Sequence, residues 1–154
     1  MPATTEMRHS AYRQLRQDSH PGCVVCSPGN RHGLGLIFRI DGDGIVEASF
    51  SCDELFQGYP GAVHGGVVSA LLDGAMTNCL FAQGHAAVTF DLHVRFQHPV
   101  VTGSPATVRA WITSSTRPVH ELAAELIQDG QVKATARAKF LEKTAVGCFG
   151  GTRQ

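Results

Sequence analysis

"GYPGAVHGGVVSALLDGAMTNCLFA", residues 58–82, joins a turn rich in glycine to a run that is apolar nearly all round, and the second half of it decides the fold. At 3.6 residues per turn, Val67, Val68, Ala70, Leu71, Leu72, Ala75, Met76, Leu80 and Phe81 cover most of a helix. Ser69, Asp73 and Thr77 share the one remaining column at spacing four. A helix with so little polar surface has to be wrapped by other elements. An acid inside it then needs a reason.

The wrapping material follows the helix. "AVTFDLHVRF" alternates Val88, Phe90, Leu92, Val94 and Phe96 with Thr89, Asp91, His93 and Arg95, which is the period of a half-buried strand. "ATVRAWITSS", "HELAAELIQ" and "VKATARAKFLE" read as three more strands, the last two joined at Asp129-Gly130 by a hairpin turn. In the last of them Val132, Ala134, Ala136, Ala138 and Phe140 share one face. Before the helix, "LGLIFRI" and "IVEASF" flank "DGDG" and predict a hairpin over 34–50. One hairpin, one long helix and a run of strands make an antiparallel α+β plan rather than a βαβ one.

Nearer the N-terminus, Met7, Ala11 and Leu15 give a short helix over residues 5–18 one narrow apolar stripe. "HPGCVVCSPGNRHG" reads as a loop. Residues 1–22 are thus expected to be an extension with a short helix, 23–142 the main domain, and 143–154 a flexible, glycine-rich tail.

The 154 residues suffice for one domain with its own core. Thirteen basic residues balance thirteen acidic ones, so charge points to neither nucleic acid nor an anionic membrane as partner. The first residues lack the apolar core of a secretory signal. Five cysteines, one of them Cys79 within the apolar helix, suit a reducing compartment. The expected location is the cytoplasm.

Chemistry concentrates on the helix. His64, Gly65 and Gly66 open it, where unpaired N–H groups and the positive end of the dipole face whatever docks, and glycine lets that backbone come close to a ligand. Such a terminus can hold a carbonyl oxygen as it becomes an oxyanion, while a carboxylate farther along supplies a base or a nucleophile. Ser69 lacks the sharp glycine elbow of a hydrolase serine. Asp91, His93 and Arg95 are read as an exposed or subunit-contact face.

"HGGVVSALLDGAM" followed by "AVTFDLHVRFQHPV" resembles the hot-dog-fold acyl-CoA thioesterases of the phenylacetate-degradation (PaaI) type, and "CVVCSPGNRHGLGLIF" resembles their lead-in. The resemblance covers roughly residues 23–142. It implies a curved antiparallel sheet around the helix, a homodimer or dimer of dimers, and active sites at the subunit interface. It also implies an acyl-CoA substrate and no cofactor. By position, Asp73 is the catalytic carboxylate, Gly65 gives its N–H to the thioester carbonyl, and His64 fixes the turn. Thr89, on the polar strand face, is expected to reach the partner subunit's carboxylate. Gly66 and Phe90 are assigned to substrate binding. Gly58 stands where some members carry an asparagine.

Two rival readings keep the fold: a non-catalytic acyl-CoA-binding domain, and a hydroxyacyl thioester dehydratase, whose catalytic His would fall at Gly58. A third reading differs in kind. His20, Cys23, Cys26 and His32 form H-x-x-C-x-x-C-x5-H, a possible zinc ligand set. Against it stands the plainer expectation of two reduced loop cysteines packed as small hydrophobes, with no metal.

Overall fold

Thr4 starts the first helix, α1 (Thr5–Ser19), by accepting the Met7 N–H on its hydroxyl at 3.3 Å. The computed structural model describes residues 4–146, so Cys148 and most of the expected tail lie outside the described residues. After α1 and a looped segment come β1 (Arg39–Ile40), β2 (Val46–Phe50), a single 3-10 turn (Glu54–Phe56) and helix α2 (Gly65–Ala82). Four strands follow: β3 (Ala87–Phe96), β4 (Ala106–Thr116), β5 (Val119–Gln128) and β6 (Gln131–Glu142).

All six strands form one antiparallel sheet in the order β1-β2-β4-β5-β6-β3. Its inner face, with Val108, Ala110, Leu122, Leu126, Ala136 and Phe140 buried, closes on α2, where Leu71, Leu72, Ala75, Met76, Cys79 and Leu80 are fully covered. The expected α+β plan holds. On length and hydropathy alone α2 could cross a membrane; here the sheet covers it. Asp129 and Gly130, both at positive φ, make the two-residue turn between Gln128 and Gln131.

Three local expectations change. The first hairpin is shorter than 34–50: only Arg39 and Ile40 pair with β2. Residues 34–38 still alternate, with Leu36 and Phe38 buried and Ile37 84% exposed. Of the expected stripe on helix α1, Leu15 packs against the core while Met7 and Ala11 are exposed. The helix also docks by Tyr12, whose hydroxyl donates to Asn78 Oδ1 on α2 at 2.8 Å. The regular period of β3 is also broken. Thr89 pairs with Phe140 and Asp91 with Lys139, leaving Phe90 as a bulge.

Strand β3 ends the sheet, with no neighbour on its outer side among the described residues. Phe90, Leu92 and Phe96 there are 55%, 37% and 56% exposed. An edge carrying unpaired backbone and large apolar side chains is a ready template for another strand.

Candidate active site

Asp73 sits on the third turn of α2, half-buried, with Thr89 facing it across the gap to β3. Thr89 Oγ1 donates to Asp73 Oδ1 at 2.6 Å. The bulge makes this contact possible. Without it Thr89 would share the outward face of Asp91, His93 and Arg95; with it Thr89 shares the inward face of Leu92, Val94 and Phe96. The expectation that Thr89 lies on the polar face is therefore corrected, and its hydroxyl meets the carboxylate of its own chain.

Burial lifts the Asp73 carboxyl above the ordinary aspartate value, against the lowering pull of the Thr89 hydrogen bond. The charge of Cys23 adds to the rise and that of His20 opposes it. The other members of the expected polar column turn inward along the helix: Ser69 Oγ donates to Gly65 O at 2.9 Å and Thr77 Oγ1 to Asp73 O at 3.0 Å. Asp73 is thus the one charged group of that column.

At the start of α2, His64 is the N-cap. Its Nδ1 accepts the Gly66 N–H at 2.8 Å, and its own N–H donates to Phe56 O at 2.8 Å. The Gly66 amide, assigned to substrate binding from the sequence, donates to the cap in this structure. The Gly65 N–H has no partner among the described residues. Gly58 explains its own departure from asparagine, because a Cβ there would lie 3.2 Å from the His64 ring and 3.3 Å from His64 Cα. The missing side chain makes room for the cap. Gly58, Tyr59, Ala62, Val63, His64 and Gly65 line an open groove at this terminus.

Gly65 and Asp73 are separated by eight residues of helix, about 12 Å at 1.5 Å per residue. An oxyanion donor and a catalytic carboxylate must each lie about 3 Å from the reacting group. The two groups of one chain are too far apart to serve one thioester.

Other expected residues fall as follows. Phe90 is the bulge residue on the exposed edge, away from any enclosed pocket among the described residues. Asp91 and His93 pair with each other on the outer face, His93 Nε2 to Asp91 Oδ1 at 3.2 Å. His20, Cys23 and Cys26 come together, their ligand atoms within 4.8 Å of one another, and the exposed His32 is not among them. Two features escaped sequence reasoning. The loop bearing His20 and Cys23 lies near enough to act on Asp73, and a buried cluster joins His85, His120 and Glu142. Both depend on contacts between distant segments, for which no local pattern exists.

No curated protein matches the chain in sequence. Residues 60–135 match the thioesterase superfamily. Among solved structures, a thioesterase superfamily protein is 28% identical with a TM-score of 0.73, over 77% of this chain and 62% of that one, so the chain spans less than two thirds of its length. The phenylacetic acid degradation-related protein of Ralstonia eutropha is 27% identical with a TM-score of 0.69, over 85% of this chain and 98% of that one. A Streptococcus mutans protein solved bound to acetyl-CoA shares the fold at 16% identity and a TM-score of 0.66, over 70% of this chain and 88% of that one. With a carboxylate inside the wrapped helix and an open amide at its start, the chain has the hot-dog fold, matches the thioesterase superfamily over residues 60–135, and is similar to proteins of the phenylacetate-degradation (PaaI) type.

Proposed function

We propose that this protein hydrolyses an acyl-CoA to the free acid and CoA, with Asp73 as the general base. The observation that carries the reading is the half-buried Asp73, held on one oxygen by Thr89 in a helix that otherwise buries apolar side chains. A carboxyl raised by burial is a stronger base than an ordinary aspartate. It takes a proton from water as the water oxygen attacks the thioester carbon. The tetrahedral oxyanion is held by the Gly65 N–H. Collapse breaks the C–S bond, and the departing CoA sulfur takes the proton from Asp73.

The separation of about 12 Å along α2 makes the site composite: Gly65 of one chain works with Asp73 of a second. The exposed β3 edge is the surface through which two copies would extend one sheet, with Leu92 and Phe96 covered in the contact. A dimer, or a dimer of dimers, is accordingly the active unit, working in the cytoplasm. The acyl-CoA assignment is supported by the superfamily match and by the acetyl-CoA complex of the Streptococcus mutans protein.

The test is release of free CoA from a panel of aromatic and aliphatic acyl-CoAs, comparing wild type with Asp73→Asn. Turnover of one substrate class, with a loss of at least ~100-fold in the variant, is the expected result. Binding without turnover would instead make the protein an acyl-CoA carrier.

A further inference from the structure

The loop ahead of the sheet holds a second constellation, and it is built rather than incidental. A ring nitrogen of His20 and the sulfurs of Cys23 and Cys26 lie within 4.8 Å of one another. His20 Nδ1 is 4.0 Å from Cys26 Sγ. Tetrahedral zinc holds its sulfur and nitrogen ligands at about 2.0–2.3 Å, which sets them roughly 3.3–3.8 Å from one another, so ligand atoms within 4.8 Å of one another need only a modest inward movement.

Several contacts fix the loop in this shape. Val25 packs on the bare Cα of Gly74, where an added Cβ would come within 2.5 Å of Val25 Cγ1. The Leu34 and Leu36 amides donate to the carbonyls of Val24 and Val25 at 2.6 and 2.9 Å. The His20 ring stands edge-on to Phe81, with centroids 5.0 Å apart. The Val25 N–H is aimed at Cys23 Sγ at 3.3 Å. An amide directed at sulfur stabilises negative charge there and supports a thiolate ligand; a thiol packed only as a hydrophobe has no use for it. Cys26 is buried while His20 and Cys23 are half-exposed, which leaves a side for an ion to enter.

We propose that His20, Cys23 and Cys26 form a zinc site with three protein ligands and a fourth position open to solvent or a small ligand. Two thiolates and a neutral imidazole balance the charge of the ion and match its preference for sulfur and nitrogen donors. The proposal does not depend on thioester hydrolysis. The other cluster with ligand-type side chains, His85, His120 and Glu142, is a poor competitor. Arg117 already occupies both Glu142 oxygens, at 2.7 and 3.0 Å, and supplies the positive charge there.

The experiment is metal binding by the full chain, purified and kept reduced, then exchanged with Zn²⁺ or Co²⁺. About one zinc per chain is expected, together with a thiolate-to-cobalt charge-transfer band in the near ultraviolet. Cys23→Ser and Cys26→Ser should each weaken that band, the double cysteine variant should abolish it, and His20→Gln should weaken zinc binding by at least ~100-fold. His85→Gln should retain the metal. The wild-type cobalt spectrum needs no variant to fold, and absence of the sulfur band overturns the proposal. So does less than ~0.2 zinc per chain, full binding by the double cysteine variant, or loss of metal in His85→Gln.

Discussion

The Thr89 hydroxyl donates to Asp73 Oδ1 at 2.6 Å across the gap between β3 and α2, so one hydrogen bond ties the acid to the edge strand of the sheet. A hydrogen bond to a charged group contributes about 1.5–3 kcal/mol. Thr89→Ala is therefore expected to lower kcat by roughly 10- to 100-fold. It should also move the pH at which activity appears upward, because the bond lowers the carboxyl's affinity for its proton. Thr89→Ser keeps the hydroxyl and should keep most of the rate. Equal rates for the alanine variant and wild type in a CoA-release assay would exclude a positioning role.

Burial raises the Asp73 carboxyl, and the sign of the consequences follows. The base form is gained as pH rises, so log kcat should climb to a midpoint above the ordinary aspartate value of about 3.9. Stability moves the other way. The folded chain holds this proton to higher pH than the unfolded one, so ionisation lowers stability from about pH 4 upward through the raised value. Asp73→Asn removes that loss. Thermal scans at pH 7 should find the variant as stable as wild type or more so, with the difference fading below pH ~4.

The proposed composite site makes a prediction about mixtures. Proline is accepted at the first position of a helix and removes only an N–H that the helix leaves unpaired. His64, at φ −58° and ψ 134°, already has the conformation that precedes proline. Gly65→Pro and Asp73→Asn should each be inactive alone. Co-refolded in equal amounts, they should recover roughly a quarter of wild-type activity, since about half the dimers pair unlike chains and each of these holds one intact site. No recovery, in a mixture shown to exchange subunits, would place both groups in one chain.

His64 is a cap as well as a neighbour of the site. His64→Ala should lose about 1 kcal/mol of stability in urea denaturation. His64→Asn offers another cap acceptor and should restore most of it. If both variants are equally destabilised, the 2.8 Å bond from Gly66 N to His64 Nδ1 is not the source of the effect.

Gly74 is where the cysteine loop meets the central helix. With Val25 Cγ1 2.5 Å from the site of a Cβ, Gly74→Ala should destabilise the fold by about 1–3 kcal/mol through overpacking. Adding Val25→Ala should return part of that loss in a double-mutant cycle. Additive effects would show that the two residues do not press on each other.

The parts legible in the sequence were those fixed by local pattern. The apolar circumference of residues 66–82 required a wrapped helix, and Asp73 stood out as its lone charge. Asp129-Gly130 marked its turn because few residues accept positive φ. The bulge was not legible. Alternation through "AVTFDLHVRF" is unbroken in the sequence, and only pairing against β6 reveals that Phe90 has no opposite number. The docking of α1 was hidden for a related reason: Tyr12 is buried because Asn78, far along the chain, accepts its hydroxyl. The long run at 34–40 pairs only at its end because β2 is five residues long and pairs with β1 at only two of them. The fourth zinc candidate, His32, matched in spacing and failed in space.

The bulge at Phe90 divides β3 into two segments with independent phase. The phase of residues 87–89 decides whether Thr89 meets Asp73. Residues 91–96 answer to whatever lies along the open edge. Because the phase is reset between them, the second segment can drift in side-chain size and polarity without turning Thr89 away from the acid. Substitutions along the open edge can therefore leave the Thr89–Asp73 hydrogen bond in place.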